Sequence, residues 1–495
     1  MSAVQAHLMA SLPDARLFRF LPSHEPVPLS PAAHPTSVMR PFNIPESIYQ
    51  AALDPRVPLT VAALYAVTAK ALNRFNASRN KKPWAMSKTR AFFAFVVLHN
   101  VFLAVYSAWT FWGMLATMRR SVASPNGPAG LVALADSLCR MHGPPGPGRS
   151  IYFNDASGQW DSADAASLAG GLEGGQPRNT EMGRIWNEGL GYYGWIFYLS
   201  KFYEVLDTFI ILAKGKFGST LQTYHHAGAM LCMWAGIRYM AAPIWVFTLV
   251  NSFIHALMYT YYTVTAFSIR VPLVVKRTLT TMQITQFIGG ASYAILHSFI
   301  SYLVPVTVTK MAATQMDDVP GSAADDAHPT AAAAAAGVLD LLKKFILGSA
   351  GSESAVPGGA GQRPSSYVTE TTLVAQPCIT TANETFAIWL NVLYLAPLTY
   401  LFVSFFIASY VKRSSANTNV PGKPNRRLSN VALAEKAGWD AARGLEQEVY
   451  GGENMVNGHA NGHAHGNANG HVEVLEEAED EVVPKKTNGR PKRRA

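Results

Sequence analysis

Two adjacent histidines, His225 and His226, follow Gln222 in the run Gln222-Thr223-Tyr224-His225-His226. At 100° per residue, the three share one helical face within an arc of about 100°. Imidazole can act as nucleophile, general base or proton donor near neutral pH. The neighbouring apolar stretches carry further polar groups at helical spacing. Lys201, Glu204 and Asp207 recur every three residues; Asn251, His255, Met258, Tyr259 and Tyr262 form a second stripe; Thr280, Gln283, Gln286 and Phe287 form a third. A charge at the centre of a membrane-length apolar segment costs about 2.5–3.5 kcal/mol on insertion scales, so such groups face a protein interior and serve a function. Four polar stripes on consecutive helices are best satisfied by facing one another, which builds a polar chamber inside a membrane bundle. Two histidines on one helix and a third, His255, on the next can act on one reacting carbon. Glu204 or Asp207 can orient an imidazole or pair with Lys201, and the residues alone leave both roles open.

Each feature also has a plainer reading. His99 and His297 read as hydrogen-bonded packing residues, Lys201 with Glu204 as an i,i+3 pair, and Gln283 with Gln286 as interhelical glue. Tyrosine and tryptophan read as an interfacial belt. The histidine pair combined with three further stripes resists that treatment.

The elements that must position these groups are membrane spans. Hydrophobic residues make up 49% of the 495, but they gather in runs of about 20 residues, the length that crosses a hydrocarbon core. Spans are expected at 57–72 (short and Ala-rich), 91–117, 191–213, 221–238, 243–267, 279–306 and 386–411, with Pro397 kinking the last. The fold class is therefore all-α and integral to the membrane, with seven helices. No early basic-then-apolar segment with a cleavage site marks a removable signal peptide. The net charge of +9 serves membrane orientation and does not imply a nucleic acid partner. Basic residues crowd the 1–2, 3–4 and 5–6 loops (Arg74 to Arg90, Lys214 and Lys216, and Arg270, Lys276 and Arg277), and Lys412 and Arg413 follow the last span. These loops and the C-terminus are expected in the cytosol and the N-terminus in the lumen. Three regions follow: a Pro-rich, mostly irregular lumenal tail at 1–56, a membrane domain at 57–411, and a disordered cytosolic tail at 412–495. Lumenal insertions at 118–188 and 307–380 interrupt the membrane domain. The first reads as a long, partly disordered loop, and the second holds a short helical pattern at Gly337–Leu347. Cys139 and Cys378 can pair if both are lumenal. The tail repeats Asn-Gly-His units, a low-complexity pattern, and ends in Lys492-Arg493-Arg494-Ala495, a weak basic retrieval signal.

At these residues the chain resembles the ELO family of membrane fatty-acid elongases. KFYEVLDT at 201–208, QTYHH at 222–226, NSFIHALMYTYY at 251–262 and TTMQITQF at 280–287 follow the family order and spacing. The resemblance implies an endoplasmic reticulum protein of seven helices, of which helices two to seven surround a narrow tunnel closed on the lumenal side. It implies condensation of acyl-CoA with malonyl-CoA to 3-ketoacyl-CoA, carbon dioxide and CoA, with no metal and no cofactor. Under it His225 accepts the acyl group, and His226 and His255 complete the site. Lys201, Glu204, Asp207, Gln222, Asn251, Tyr259, Gln283 and Gln286 support them. Lys276 and Arg277, with Lys412 and Arg413, sit at the mouth where CoA phosphates gain charge-assisted contacts. The implied partners are acyl-CoA, malonyl-CoA, membrane lipid, and the ketoacyl reductase, dehydratase and enoyl reductase of an elongation cycle, with a homodimer allowed for.

The usual family box is His-x-x-His-His, and Gln222 stands at its first position. An amide takes up no proton near neutral pH, so this position is not an indispensable base. Glutamine here suggests polyunsaturated acyl substrates. A di-iron desaturase would need about eight histidines, whereas spans two to six offer His99, His225, His226, His255 and His297. A transporter would show internal repeats or matched broken helices, and neither is found. The acyl methyl end is expected near Met233, Trp234 and Ile237, with Gly290 and Ala294 leaving it room.

Overall fold

Helix starts are fixed by side-chain caps in three of the long apolar runs. The computed structural model describes residues 7–19, 21–311 and 367–407, all within the unit Met1–Gly452. Strand β1 (Leu8–Ala10) precedes α1 (Glu46–Ala52) and α2 (Arg56–Ser78). Helix α3 (Arg90–Ser121) starts where the Thr89 hydroxyl accepts from the Phe92 N–H, which satisfies one of the orphan donors of the first turn. The first insertion holds α4 (Gly130–Cys139), the hairpin β2 (Ile151–Asn154) and β3 (Gln159–Ser162), α5 (Ala165–Gly171) and the short pair β4 (Leu172–Glu173) and β5 (Gln176–Pro177). A π-helical segment, Trp186–Gly194, leads into α6 (Trp195–Tyr203), which gives way at Glu204 to α7 (Val205–Ala213). Helix α8 (Thr220–Arg238) is capped by Ser219, whose hydroxyl accepts from the Gln222 N–H. Then come α9 (Ile244–Val246), a second π-helical turn at Phe247–Asn251, α10 (Ser252–Ala266) and α11 (Leu273–His297). Strands β6 (Ile300–Met311) and β7 (Tyr367–Pro377) pair antiparallel from Ser301↔Pro377 to Met311↔Tyr367, and β1 adds to β6. The last helix, α12 (Ala382–Phe406), opens on a capping box between Thr381 and Glu384 and carries Pro397 inside.

Three stretches are long and apolar enough to cross a membrane among the described residues: Arg90–Ser121, Ile244–Ala266 and Ala382–Ser404. The remaining expected spans are broken or diluted by the groups that make them interesting. The third breaks at Glu204, and α8 carries Gln222, His225, His226 and Arg238. The expected sixth span ends nine residues early, because the chain leaves α11 at His297 and becomes β6. Lys276 and Arg277 lie in the opening turns of α11 rather than in a connector.

The first insertion is folded, against the loop expected from its Gly, Pro, Ser and Asp content. Cys139 and Cys378 form a disulfide that ties α4 to the end of β7. Arg184 and Asp136 make a buried ion pair at 2.8 Å, and the Tyr302 hydroxyl donates to Asp136 at 3.0 Å. Arg140 donates to the side chain of Gln376 at 2.9 Å. These contacts span 48 to 239 residues of sequence, so no local pattern announces them.

The segment before α2 is also placed, as a strap across the bundle. Its carbonyls accept from aromatic side chains: Trp186 to Leu29 at 2.9 Å, Tyr193 to Met39 at 2.9 Å, Tyr198 to Ala52 at 2.8 Å and Trp234 to Leu53 at 2.8 Å. Asn383 holds its far end, donating to Glu25 at 2.6 Å and accepting from the Ser23 N–H at 2.8 Å. Each pairing satisfies a buried N–H or O–H that would otherwise cost free energy. The main core packs between the π-helical segment, α6, α8 and α12 around Tyr198, Ala235, Ile237, Leu395 and Leu398. Residues from 412 on and the Gly337–Leu347 pattern lie outside the described residues.

Candidate active site

The polar stripes meet as a network that crosses α6, α7, α10 and α11. Lys201 donates to Glu204 at 2.7 Å, and the two side chains are 4% and 2% exposed, so this is a buried ion pair. Ser200 also donates to Glu204, at 2.9 Å. Glu204 occupies the turn between α6 and α7, and that break carries its carboxylate towards His255, whose Nδ1 lies 3.6 Å away. That distance is an electrostatic approach, not a hydrogen bond. Lys201 reaches Asn251 at 3.4 Å, and the Asn251 amide donates to Gln286 at 3.3 Å. Asn251 is the last residue of the second π-helical turn, a kind of irregularity that recurs at functional sites.

Asp207 does a different job from Glu204. Its two oxygens take His99 Nε2 at 2.7 Å and the Tyr259 hydroxyl at 2.7 Å, joining α3, α7 and α10. His99 stacks on Tyr203, with ring centroids 5.3 Å apart. His99 is thus the buried, hydrogen-bonded packing residue expected of it.

The paired histidines lie in the second turn of α8, with ring centroids 5.4 Å apart. Both are within electrostatic reach of Lys201, Glu204 and His255. His226 is buried and meets the edge of the Tyr65 ring at 6.0 Å. His225 Nδ1 lies 2.9 Å from the hydroxyl of Tyr394 on α12. Tyr394 was not among the residues singled out by spacing, and it is the main omission. Its ring fills the space over Gly228, where an added Cβ would come within 2.3 Å of it.

Other expectations divide. The Gln222 carbonyl oxygen is buried, with no hydrogen-bond partner among the described residues. Gln283 donates to the Met258 sulfur at 3.5 Å and joins α11 to α10 outside the Lys201 network. Lys276 is partly buried, Arg277 is exposed, and Lys412 and Arg413 lie outside the described residues. Trp234 donates its indole N–H to the Leu53 carbonyl of the strap. The room at Gly290 is taken by the Phe247 ring, 2.9 Å from where a Cβ would stand. Among the described residues, metal-type donors gather in threes within 4.8 Å at Cys139, His297 and Cys378 alone, and both sulfurs there are spent on the disulfide.

Apolar helices of membrane length around a buried cluster of imidazole, ammonium and carboxylate groups define a helical membrane protein with a charged interior site. The profile of the ELO: GNS1/SUR4 family matches residues 50–418, more than half of the chain. The chain belongs to that family. It is 39% identical over 119 residues to "Fatty acid elongase sre1" of Dictyostelium discoideum, covering 24% of this chain and 41% of that one. It is 42% identical over 98 residues to "Very long chain fatty acid elongase 4" of Homo sapiens, covering 19% and 31%. "Fatty acid elongase 2" of Trypanosoma brucei brucei is 28% identical over 123 residues, covering 25% and 45%. The chain spans less than half the length of each of these curated relatives. No solved structure matches it.

Proposed function

We propose that the protein is a fatty acid elongase that condenses acyl-CoA with malonyl-CoA, with His225 as the acyl acceptor. The constellation of half-buried His225 with buried His226 and His255 beside the Lys201–Glu204 pair carries this reading, and the family membership and the names of the relatives support it. His225 attacks the thioester carbonyl, the carbon–sulfur bond breaks, and the CoA thiolate leaves and takes a proton from solvent. Malonyl-CoA then loses carbon dioxide, and the electron pair of the broken carbon–carbon bond becomes an enolate. The enolate carbon attacks the acyl group, and the carbon–nitrogen bond to His225 returns its electrons to the ring. Products are 3-ketoacyl-CoA, carbon dioxide and CoA, with no change of oxidation state that needs a partner. His255, facing Glu204, and His226 position the malonyl thioester and stabilise the enolate.

The seven-span arrangement, the tunnel, the endoplasmic reticulum location and the hand-over of product to a reductase, a dehydratase and an enoyl reductase belong to the same proposal. The Cys139–Cys378 disulfide supports a lumenal position for both insertions, because such bonds persist in oxidising compartments. Cytosolic Lys276, Arg277, Lys412 and Arg413 then face the CoA phosphates, and Gln222 favours polyunsaturated chains. The test is purified protein in lipid vesicles with labelled malonyl-CoA and a panel of acyl-CoAs. Two-carbon extension that His225→Ala abolishes supports the reading, and extension retained by that variant removes His225 as the acyl carrier.

A further inference from the structure

We infer that Tyr394 is a positioning residue that fixes the tautomer of His225, so that Nε2 is its lone-pair nitrogen. The inference rests on the elongase reading only for what that nitrogen then does. The Tyr394 hydroxyl touches two groups of one residue: it lies 3.0 Å from the His225 carbonyl oxygen, to which it donates, and 2.9 Å from His225 Nδ1. A neutral phenol has one proton. Spent on the carbonyl, that proton leaves the oxygen able only to accept at Nδ1, so Nδ1 must carry the ring hydrogen. A neutral imidazole has one N–H, and the lone pair therefore falls to Nε2.

The surroundings hold this geometry from three sides. Tyr224 donates its own hydroxyl to the Tyr394 carbonyl at 3.1 Å, which anchors the backbone of α12 against α8. Gly228, one turn beyond His225, offers no Cβ where the Tyr394 ring lies. The ring is 9% exposed, so water is a poor competitor for its hydroxyl. Acylation at Nε2 with Nδ1–H retained gives an N-acylimidazolium, and its positive charge is shared along the hydrogen bond to Tyr394. When the enolate expels the ring, neutral Nδ1–H imidazole returns without any proton having left Nδ1. The phenol thus does at Nδ1 what a carboxylate does in hydrolytic triads, while adding no charge to a membrane interior.

The test pairs a tautomer readout with kinetics. Protein labelled with ring-¹⁵N histidine, with His225→Gln for assignment, should show His225 protonated at Nδ1 and bare at Nε2. Tyr394→Phe keeps the ring over Gly228 and should give a mixture of tautomers. In the same variant, acyl-enzyme formation should slow by about 10–100-fold, the usual effect of losing an orienting partner of histidine. KM for acyl-CoA and malonyl-CoA should stay within about twofold, since the phenol holds neither thioester; loss of packing alone would move KM and stability instead. Gly228→Ala, which pushes the ring aside, should reproduce the tautomer mixture. Wild-type His225 protonated at Nε2, or Tyr394→Phe with unchanged acylation, overturns the proposal. Extension retained by His225→Ala would remove His225 as the acyl carrier, and absence of extension by the wild type would overturn the elongase reading; either would leave the tautomer result standing.

Discussion

Opening the Cys139–Cys378 bridge is the perturbation whose size the structure sets most directly. The two cysteines are 239 residues apart in sequence. The chain-entropy relation, −2.1 − 1.5R ln n with n near 240, gives about 18 cal/mol/K, or about 5.5 kcal/mol at 25 °C. That figure is a ceiling, because membrane helices between the cysteines already restrict the unfolded chain; a loss of about 2–4 kcal/mol is expected. Cys139→Ala and Cys378→Ala each open the same loop, so either variant and the double variant should lose nearly the same amount. The assay is thermal unfolding in detergent, followed by limited proteolysis of the 118–188 segment, which should become cleavable in all three variants. Thiol counting supplies the check on the wild type. The chain has three cysteines and the third, Cys232, is free, so denatured and unreduced protein should titrate as one thiol. Three thiols in protein taken from its own membrane would refute both the bridge and the lumenal placement argued from it.

Replacing Lys201 with Met leaves Glu204 buried without its cation, and stability should fall by about 3–5 kcal/mol in detergent melts. The double variant Lys201→Met/Glu204→Met should recover most of that loss, and an unchanged melt for the single variant would discount the pair. His142, buried between Trp160 and Trp186 with Arg184 nearby, has its pKa pushed down by burial and by that guanidinium, to about 3. The unfolded chain takes up this proton first, so the stability from His142 is full above about pH 6.5 and is lost towards pH 3. The slope there is about 1.4 kcal/mol per pH unit. Melts at pH 7 and pH 5 should separate by about 2 kcal/mol more in the wild type than in His142→Phe, and equal separations would show that His142 is not buried neutral. Gln222→His should keep condensation and shift the acyl preference away from polyunsaturated chains; product profiles identical to wild type would detach Gln222 from selectivity.

Much of the site was legible because polar residues are conspicuous in apolar helices. Spacing alone grouped Lys201, Glu204, Asn251, His255 and Gln286, which do form one network. It failed where hydrogen-bond register changes without a change in composition. The breaks at Glu204 and at Phe247–Asn251 leave no mark in hydropathy, yet they carry two site residues. Tyr394 was hidden for a different reason, since a tyrosine in a membrane helix ordinarily reads as belt. Its one local signal was on another helix, the glycine three residues beyond His225. The first insertion was misread because its order comes from a disulfide and buried pairs with partners far along the chain.

The strap has a consequence for how the protein is made. Ser23 is held by Asn383, and 360 residues separate them. At about 5–20 residues per second, the ribosome needs roughly 20–70 seconds to deliver the partner after the strap has emerged. For that time the Glu25 carbonyl destined for Asn383 has only water, a chaperone or the translocation machinery to accept from. The Ser23–Glu25 end of this early-made segment is thus among the last parts to dock, whereas Leu29, Met39, Ala52 and Leu53 meet Trp186, Tyr193, Tyr198 and Trp234 sooner. Nascent chains arrested before residue 383 should expose residues 23–25 to protease, and chains released after it should protect them.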